Sequence, residues 1–312
     1  MTILVTGGAG FIGSHLVDRL IDEKHRVIVI DNLSTGKREN INPQAKFYQC
    51  DIYSNKAAEI IKKEKPEIVF HLAAQINLRQ SVKDPIDDAK TNILGTLNII
   101  SSFIEANRQR LDKCKFIFSS TGGAIYGDAK IIPTPESYEP HPLSPYGINK
   151  LSIENYLYYF YQVFGLKYVS LRYANVYGPR QNFKGEAGVI AIFINNLLNN
   201  KQPIIFGNGK QTRDFIYVDD VVKANLLALK NKKVGVYNIG TGKETDINTI
   251  FNYIQKETGI FIKSQHRPLP LGDINRSCLD CKKAIKELNW SAKTTLPQGI
   301  RKTVRFFNQY KE

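Results

Sequence analysis

No run of apolar residues in this chain comes near the ~20 that cross a bilayer, which excludes a helical membrane span. A secretory leader is missing too: the first residues, Thr2-Ile3-Leu4-Val5-Thr6, already read as a buried strand, so a cytoplasmic protein is expected. Cysteine is scarce, with Cys50, Cys114, Cys278 and Cys281 the only four. The single Cys-x-x-Cys has neither a second pair nor ligand histidines near it, so no metal site is expected and the thiols read as reduced and structural. Acids also fall short, with 43 Lys plus Arg against 29 Asp plus Glu and a formal charge of +14. That excess asks for an anionic partner or for none. It is spread along the chain without a basic tail or an Arg-rich block, so nucleic acid is not expected, although part of it can draw in a phosphate-bearing metabolite.

What is present begins with the material for a large core: 42% of 312 residues are hydrophobic, enough for two domains or for one with a substantial appendage. The strand at 2–6 runs into Gly7-Gly8-Ala9-Gly10-Phe11-Ile12-Gly13 and then an amphipathic helix to about Glu23. Gly8, Gly10 and Gly13 satisfy G-x-G-x-x-G, and Gly7, Gly10 and Gly13 give G-x-x-G-x-x-G as well. Glycines there allow a tight turn and a close approach of backbone to a pyrophosphate, and the helix N-terminus adds the positive end of its dipole. A second buried strand, from Arg26, ends at Asp31, 18 positions after Gly13. An acid at that spacing bonds the adenosine ribose and repels a 2′-phosphate, which favours NAD over NADP, with Lys37 and Arg38 leaving NADP open.

Strands continue to alternate with helices, at 46–49 before Asp51 and at 67–70 before His71-Leu72-Ala73. The pattern is that of an α/β protein with a doubly wound parallel (Rossmann) sheet, whose ligands sit at the carboxyl ends of its strands. His71 reads as a core or strand-end histidine. A helical pattern covers 88–110, with Asn92 and Gly95 inside it, and the glycine implies close packing. Beyond Tyr173 periodicity becomes irregular. The expected division is a dinucleotide-binding domain over 1–174, to which the chain returns around 213–238, and a smaller α/β substrate-binding domain over 175–312.

The chemistry centres on Tyr146-Gly147-Ile148-Asn149-Lys150. Residues four apart share a helix face, so the Tyr146 phenol and the Lys150 ammonium can enter one cleft, where the cation eases formation of a phenolate. A Tyr so tuned takes and returns a proton. A strand at 115–118 delivers Ser119-Ser120-Thr121 to the same sheet edge, 25 positions before Tyr146 for Thr121, and a hydroxyl there can relay that proton.

Thr6 to Gly13, Asp31-Asn32-Leu33-Ser34-Thr35-Gly36, His71-Leu72-Ala73-Ala74-Gln75 and the Tyr146/Lys150 pair together resemble the extended short-chain dehydrogenase/reductase superfamily, in its NAD-dependent epimerase/dehydratase branch. The stretch Asp31 to Gly36 is similar to that of UDP-glucose 4-epimerases. The resemblance covers nearly the whole chain. It implies NAD contacts at Gly7, Gly10, Phe11, Ile12 and Gly13, at Asp31, Asn32, Ser34 and Gly36, at Asp51 and Ile52, at Leu72, Ala73, Ala74, Gln75 and Asn92, and at Tyr146, Lys150 and Tyr173. Lys150 is implied to bind the nicotinamide ribose. The relay is implied at Thr121, with Ser120 an alternative because Gly122 to Gly127 runs one residue longer than in many relatives. Thr121 lacks the Asp-Glu that follows in nucleotide-sugar dehydratases, which argues against dehydration.

For the substrate, the resemblance implies contacts at Thr121, Tyr146, Asn175, Val189, Phe206, Arg213, Asp273, Arg276 and Ser277, with an aromatic ring for a base and Arg213 for a phosphate. Pro270 stands where relatives commonly carry an Arg. The small Ser277 leaves room for an N-acetyl group at the sugar 2-position. Helices near 88–110 and 146–164 are implied to form a homodimer. The function implied is reversible 4-epimerisation of a UDP-hexose through a transient 4-keto sugar, with NAD bound throughout. UDP-glucuronate 4-epimerisation or decarboxylation, with Arg180 meeting the carboxylate, and a non-catalytic nucleotide-sugar binder stand as alternatives.

Overall fold

The computed structural model describes residues 1–183, 188–269 and 274–309. Alternation along the first strands assigns each side chain to one of two apolar layers. In β1 (Thr2–Thr6) Ile3 and Val5 enter one cluster and Leu4 the other; in β2 (Arg26–Asp31) Val27 and Val29 part from Ile28 and Ile30 in the same way. Strands buried on both faces belong to a parallel sheet covered by helices. That sheet contains β3 (Lys46–Gln49), β4 (Ile68–His71), β5 (Lys115–Thr121) and β6 (Lys167–Tyr173), and is completed by the strand Gly235–Ile239. Its order is that last strand, then β6, β5, β4, β1, β2 and β3, all parallel.

The helices α1 (Phe11–Asp22), α2 (Asn55–Glu64), α3 (Leu78–Lys83), α4 (Pro85–Ala89), α5 (Thr96–Ala106), α6 (Gly122–Ile125) and α7 (Pro145–Phe164) connect these strands. α1 contributes to the first apolar cluster, while α2, α5 and α7 contribute to the second. Local sequence sets the limits of α7: the Ser144 side chain accepts from the Gly147 N–H, Pro145 fills the first turn, and Gly165 closes the helix at φ 74°. The single helix expected over 88–110 is instead α4, a π-helical segment Lys90–Gly95, and α5 ending at Ala106. Gly95 is there for space, since a Cβ on it would lie 2.7 Å from the Ile52 side chain.

Beyond β6 most strands are shorter. β7 (Asn175–Tyr177) leads to α8 (Val189–Leu198), β8 (Ile204–Phe206), β9 (Thr212–Arg213) and β10 (Phe215–Tyr217), which pairs back on β7. Then α9 (Val218–Lys230) packs on α1, and the sheet strand Gly235–Ile239, β11, lies beside β6. The chain goes on through β12 (Thr245–Asp246), α10 (Ile247–Thr258), β13 (Gln265–Arg267), β14 (Arg276–Ser277), α11 (Lys282–Leu288) and α12 (Leu296–Gln309). β9 sits between β12 and β14, and β8 pairs with β13. The buried Asp214 carboxylate, between β9 and β10, accepts from the Thr241 N–H and hydroxyl and from the Gly242 N–H, which ties Arg213 to the end of β11. Among the described residues no helix is long and apolar enough to cross a membrane.

Candidate active site

The carboxyl ends of β1, β2, β4, β5 and β6 open on one cleft of about 370 Å³, within the size range of small-molecule sites. Its floor is the turn after β1. Gly7 has φ 72°, and a Cβ there would lie 2.6 Å from the Ala73 nitrogen; a Cβ on Gly13 would lie 2.1 Å from the Gly7 carbonyl oxygen. Only glycine lets this turn, the first turn of α1 and the loop after β4 approach so closely. No side chain caps the N-terminus of α1, so its first N–H groups and its dipole face the cleft beside Gly10, Phe11 and Ile12. A backbone cradle of this kind fits the pyrophosphate of a dinucleotide.

At the end of β2 the Asp31 carboxylate is buried and accepts from the Ala9 N–H (3.0 Å) and the Leu33 N–H (2.8 Å). Burial raises its carboxyl above the ordinary range, against those two donors. Asn32 and Ser34 line the cleft beside it, and Asn32 donates to Asp51, which lines it with Ile52. Gly36 supports this corner from behind, packed on Ala9 and Asp31. From the loop after β4, Leu72, Ala73 and Ala74 form wall. Gln75 and Asn92 stand behind that wall: the Asn92 carbonyl oxygen accepts from the Gln75 N–H, and its amide donates to the Gln75 carbonyl. His71 is fully buried, between the Thr6 and Thr96 hydroxyls at 2.9 Å each, as a core histidine.

At the other end of the cleft β5 runs three residues past its expected limit, so Ser119, Ser120 and Thr121 are its last residues. The two candidate relays part here. The Ser120 hydroxyl donates to the buried Glu154 carboxylate at 2.6 Å, where Arg172 also binds. The Thr121 hydroxyl accepts from the Ala124 N–H at 3.2 Å and stands near the Tyr146 phenol, whose ionised form it favours. Lys150 Nζ donates to the Ser119 carbonyl at 2.8 Å and lies under the Tyr146 ring, 5.8 Å from its centroid. Tyr173 lies opposite Thr121 in the sheet, with its hydroxyl held by Asn225.

Burial governs the electrostatics of the pair. Burial pushes the Tyr146 phenol well above its ordinary value and Asp88 adds to this, while the Thr121 hydroxyl opposes it. Lys150 is brought down to about 8 by burial, against the fields of Asp88 and Glu154. Burial is thus the largest influence on the ionisation of the phenol. Asp88 and Asn149 escaped the sequence reading. Asp88 belongs to no motif and Asn149 is only a spacer between Tyr146 and Lys150, and their meeting depends on how α4 packs against α7.

Of the residues expected to meet the nucleotide sugar, Asn175 lines both the main cleft and a smaller hollow with Val189. Phe206, Arg213, Arg276 and Ser277 lie outside both cavities. The Phe206 ring carries the Arg79 guanidinium at 5.6 Å from its centroid. Ser277 pairs in register with Arg213, and Arg276 is bound to Glu244, with Nε donating at 2.9 Å. Asp273 and Pro270 lie outside the described residues. Arg180, the candidate for a sugar carboxylate, is paired with Asp18 of α1 at 2.7 Å.

The model of the NAD dependent epimerase/dehydratase family matches residues 3–240 of this chain. The chain belongs to this family. The crystal structure of the UDP-glucose 4-epimerase from Thermotoga maritima with UDP-glucose is 50% identical and superposes with a TM-score of 0.96 over 100% of both chains. The Thermus thermophilus UDP-glucose 4-epimerase, solved with NAD, is 39% identical over 99% of each chain with a TM-score of 0.93. A UDP-N-acetylglucosamine 4-epimerase from Methanobrevibacter ruminantium, solved with UDP-N-acetylmuramic acid, is 37% identical over 99% of this chain and 98% of that one, with a TM-score of 0.92. The two-sided parallel sheet is thus that of an epimerase, and the glycine cradle and the Thr121–Tyr146–Lys150 group occupy its cleft.

Proposed function

We propose that this chain is a cytoplasmic, NAD-dependent UDP-hexose 4-epimerase that interconverts UDP-glucose and UDP-galactose and accepts their N-acetyl counterparts. The observation that carries the reading is the meeting of Thr121 and Tyr146, with Lys150 under the ring, in a cleft floored by glycine. NAD, when bound, supplies the reversible oxidation at C4. Tyr146 takes the 4-hydroxyl proton and gives it back, and Thr121 orients the sugar hydroxyl and conducts the proton. Ser120 keeps a structural role through Glu154. Lys150 holds its place through the Ser119 carbonyl and supplies positive charge next to the phenol. Asn175 and Val189, with Phe206, Arg213, Arg276, Ser277 and Asp273, are assigned to the nucleotide sugar, residues 1–174 with 213–238 to the dinucleotide, and the remainder of 175–312 to the sugar side.

Two features refine the substrate. Ser277 is small, which supports acceptance of a 2-acetamido group. Arg180 is engaged by Asp18, which weighs against its meeting a uronate carboxylate. A homodimer is supported by the exposed Ile148, Tyr156, Tyr159 and Val163, which form a stripe at helical spacing on α7.

The test is to incubate purified protein, without added NAD, with UDP-glucose, UDP-N-acetylglucosamine and UDP-glucuronate in parallel, following products by chromatography and mass. An isomer of unchanged mass from the first two is expected. Turnover of UDP-glucose with none of the N-acetyl sugar at saturation would sink the Ser277 argument. Loss of carbon dioxide or water, or no product even with NAD added, would overturn the epimerase reading. Light scattering tests the dimer, which Tyr159→Glu should dissociate.

A further inference from the structure

Asp88 is a carboxylate almost wholly removed from water, on the short helix α4, with no place in the chemistry so far described. Its Oδ1 accepts from Gln75 Nε2 at 2.7 Å, and its Oδ2 accepts from Asn149 Nδ2 at 2.6 Å. Gln75 follows the cleft wall Ala73-Ala74, and Asn149 precedes Lys150 on α7, so one carboxylate fastens the wall to the catalytic turn. Both donors are neutral amides. The charge is thus held by hydrogen bonds and left uncancelled by contact, and in a buried medium it acts on Lys150 and Tyr146.

We propose that Asp88 is a positioning residue for proton transfer: it fixes the Tyr146–Lys150 turn against the loop after β4, and its negative charge compensates the buried Lys150 ammonium. A buried carboxylate with only amide partners is costly to keep, which makes a purely structural role a poor use of it. Its charge also favours the protonated phenol, so the phenolate, once formed, is the stronger base toward the 4-hydroxyl proton. The inference rests on the epimerase reading in that it takes Tyr146 as the proton carrier. The titratable groups around Tyr146 and Lys150 are His71 from β4, Asp88 from α4, Glu154 from α7 itself and Tyr173 from β6. Of these, Asp88 acts on both.

The test compares Asp88→Asn, which keeps the size and removes the charge, with Asn149→Ala, which keeps the charge and removes one hydrogen bond. Removing the negative charge favours both deprotonated forms. Both limbs of the kcat–pH profile of Asp88→Asn should therefore move to lower pH, with kcat down about tenfold at the wild-type optimum. Asn149→Ala should lose kcat with its limbs unmoved. A drop in Asp88→Asn with both limbs in place, or no drop, overturns the proposal. Ultraviolet difference titration of the phenol, using Tyr146→Phe as the blank, is the readout free of turnover. Ionisation of Tyr146 at lower pH in Asp88→Asn supports the proposal and unchanged ionisation overturns it, even if wild-type protein turns over no UDP-sugar and the epimerase reading itself fails.

Discussion

On the dinucleotide side of the cleft each wall is the end of a parallel strand of four to seven residues, and its polar groups are held from behind: Asp31 by the Ala9 and Leu33 N–H groups, Ser120 by Glu154, Gln75 by Asn92 and Asp88. On the sugar side the strands β7 to β10 and β12 to β14 are two or three residues long, and a charged side chain such as Arg276 stands 60% exposed with a single carboxylate for company. The contrast follows from what each side has to do. A group that moves a proton must be held to a fraction of an ångström, and rigid sheet ends do that; recognition of one sugar or another is adjusted more cheaply on short elements at the rim. The same contrast explains why substrates vary within one family while the fold does not.

The strongest way to break this division is at Tyr146. Tyr146→Phe removes the proton carrier without opening a cavity, and kcat is expected to fall about a thousandfold with the thermal midpoint little changed, as measured by product chromatography and a melting curve. A stability loss instead would make the phenol structural. Next come the two hydroxyls at the end of β5. Thr121→Val should lower kcat roughly 30-fold, whereas Ser120→Ala should cost about 1–2 kcal/mol of stability by leaving Glu154 one donor short, and spare most of the turnover. The reverse pattern would move the relay to Ser120.

His71 probes the rigidity behind the cleft. Burial holds its pKa at about 3 against 6.5 for the free side chain. The ring is neutral in the folded protein, so its contribution is complete above about pH 6.5 and is lost as the pH falls from there toward 3. Urea unfolding between about pH 7 and pH 5 should lose roughly 2 kcal/mol, and His71→Gln should flatten that slope. On the sugar side the expected effects are the smallest. Glu244 is held below the usual carboxylate range chiefly by the Arg276 guanidinium, but the pair is exposed, so Arg276→Ala should change stability by less than about 1 kcal/mol and raise KM for the UDP-sugar a few-fold with kcat intact. A large fall in kcat there would erase the distinction between the two sides.

The cofactor side was largely legible in the sequence because its signals are local. A strand, a glycine turn and an acid at fixed spacing are consecutive in the chain, and Tyr146 and Lys150 are one helical turn apart. The sugar side was less legible: Phe206, Arg213, Arg276 and Ser277 come from three short strands whose pairing no periodicity reveals. Its members were reached through resemblance, and part of that stretch, Asp273 included, lies outside the described residues.

Sequence by itself determined the parallel sheet, through apolar strands that alternate with helices, and the cradle after β1, through glycines where a Cβ has no room. It also placed a Tyr and a Lys on one helix face. Only the tertiary structure parted Thr121, near the Tyr146 phenol, from Ser120, bound to Glu154, since a hydroxyl's partner is set by which way the end of a strand presents it. The same holds for Arg180, committed to Asp18, and for Asp88, whose influence on Tyr146 and Lys150 arises from burial. A residue's type is written in the chain, but its dielectric surroundings and its hydrogen-bond partners exist only once α4, α7 and the loop after β4 have packed together.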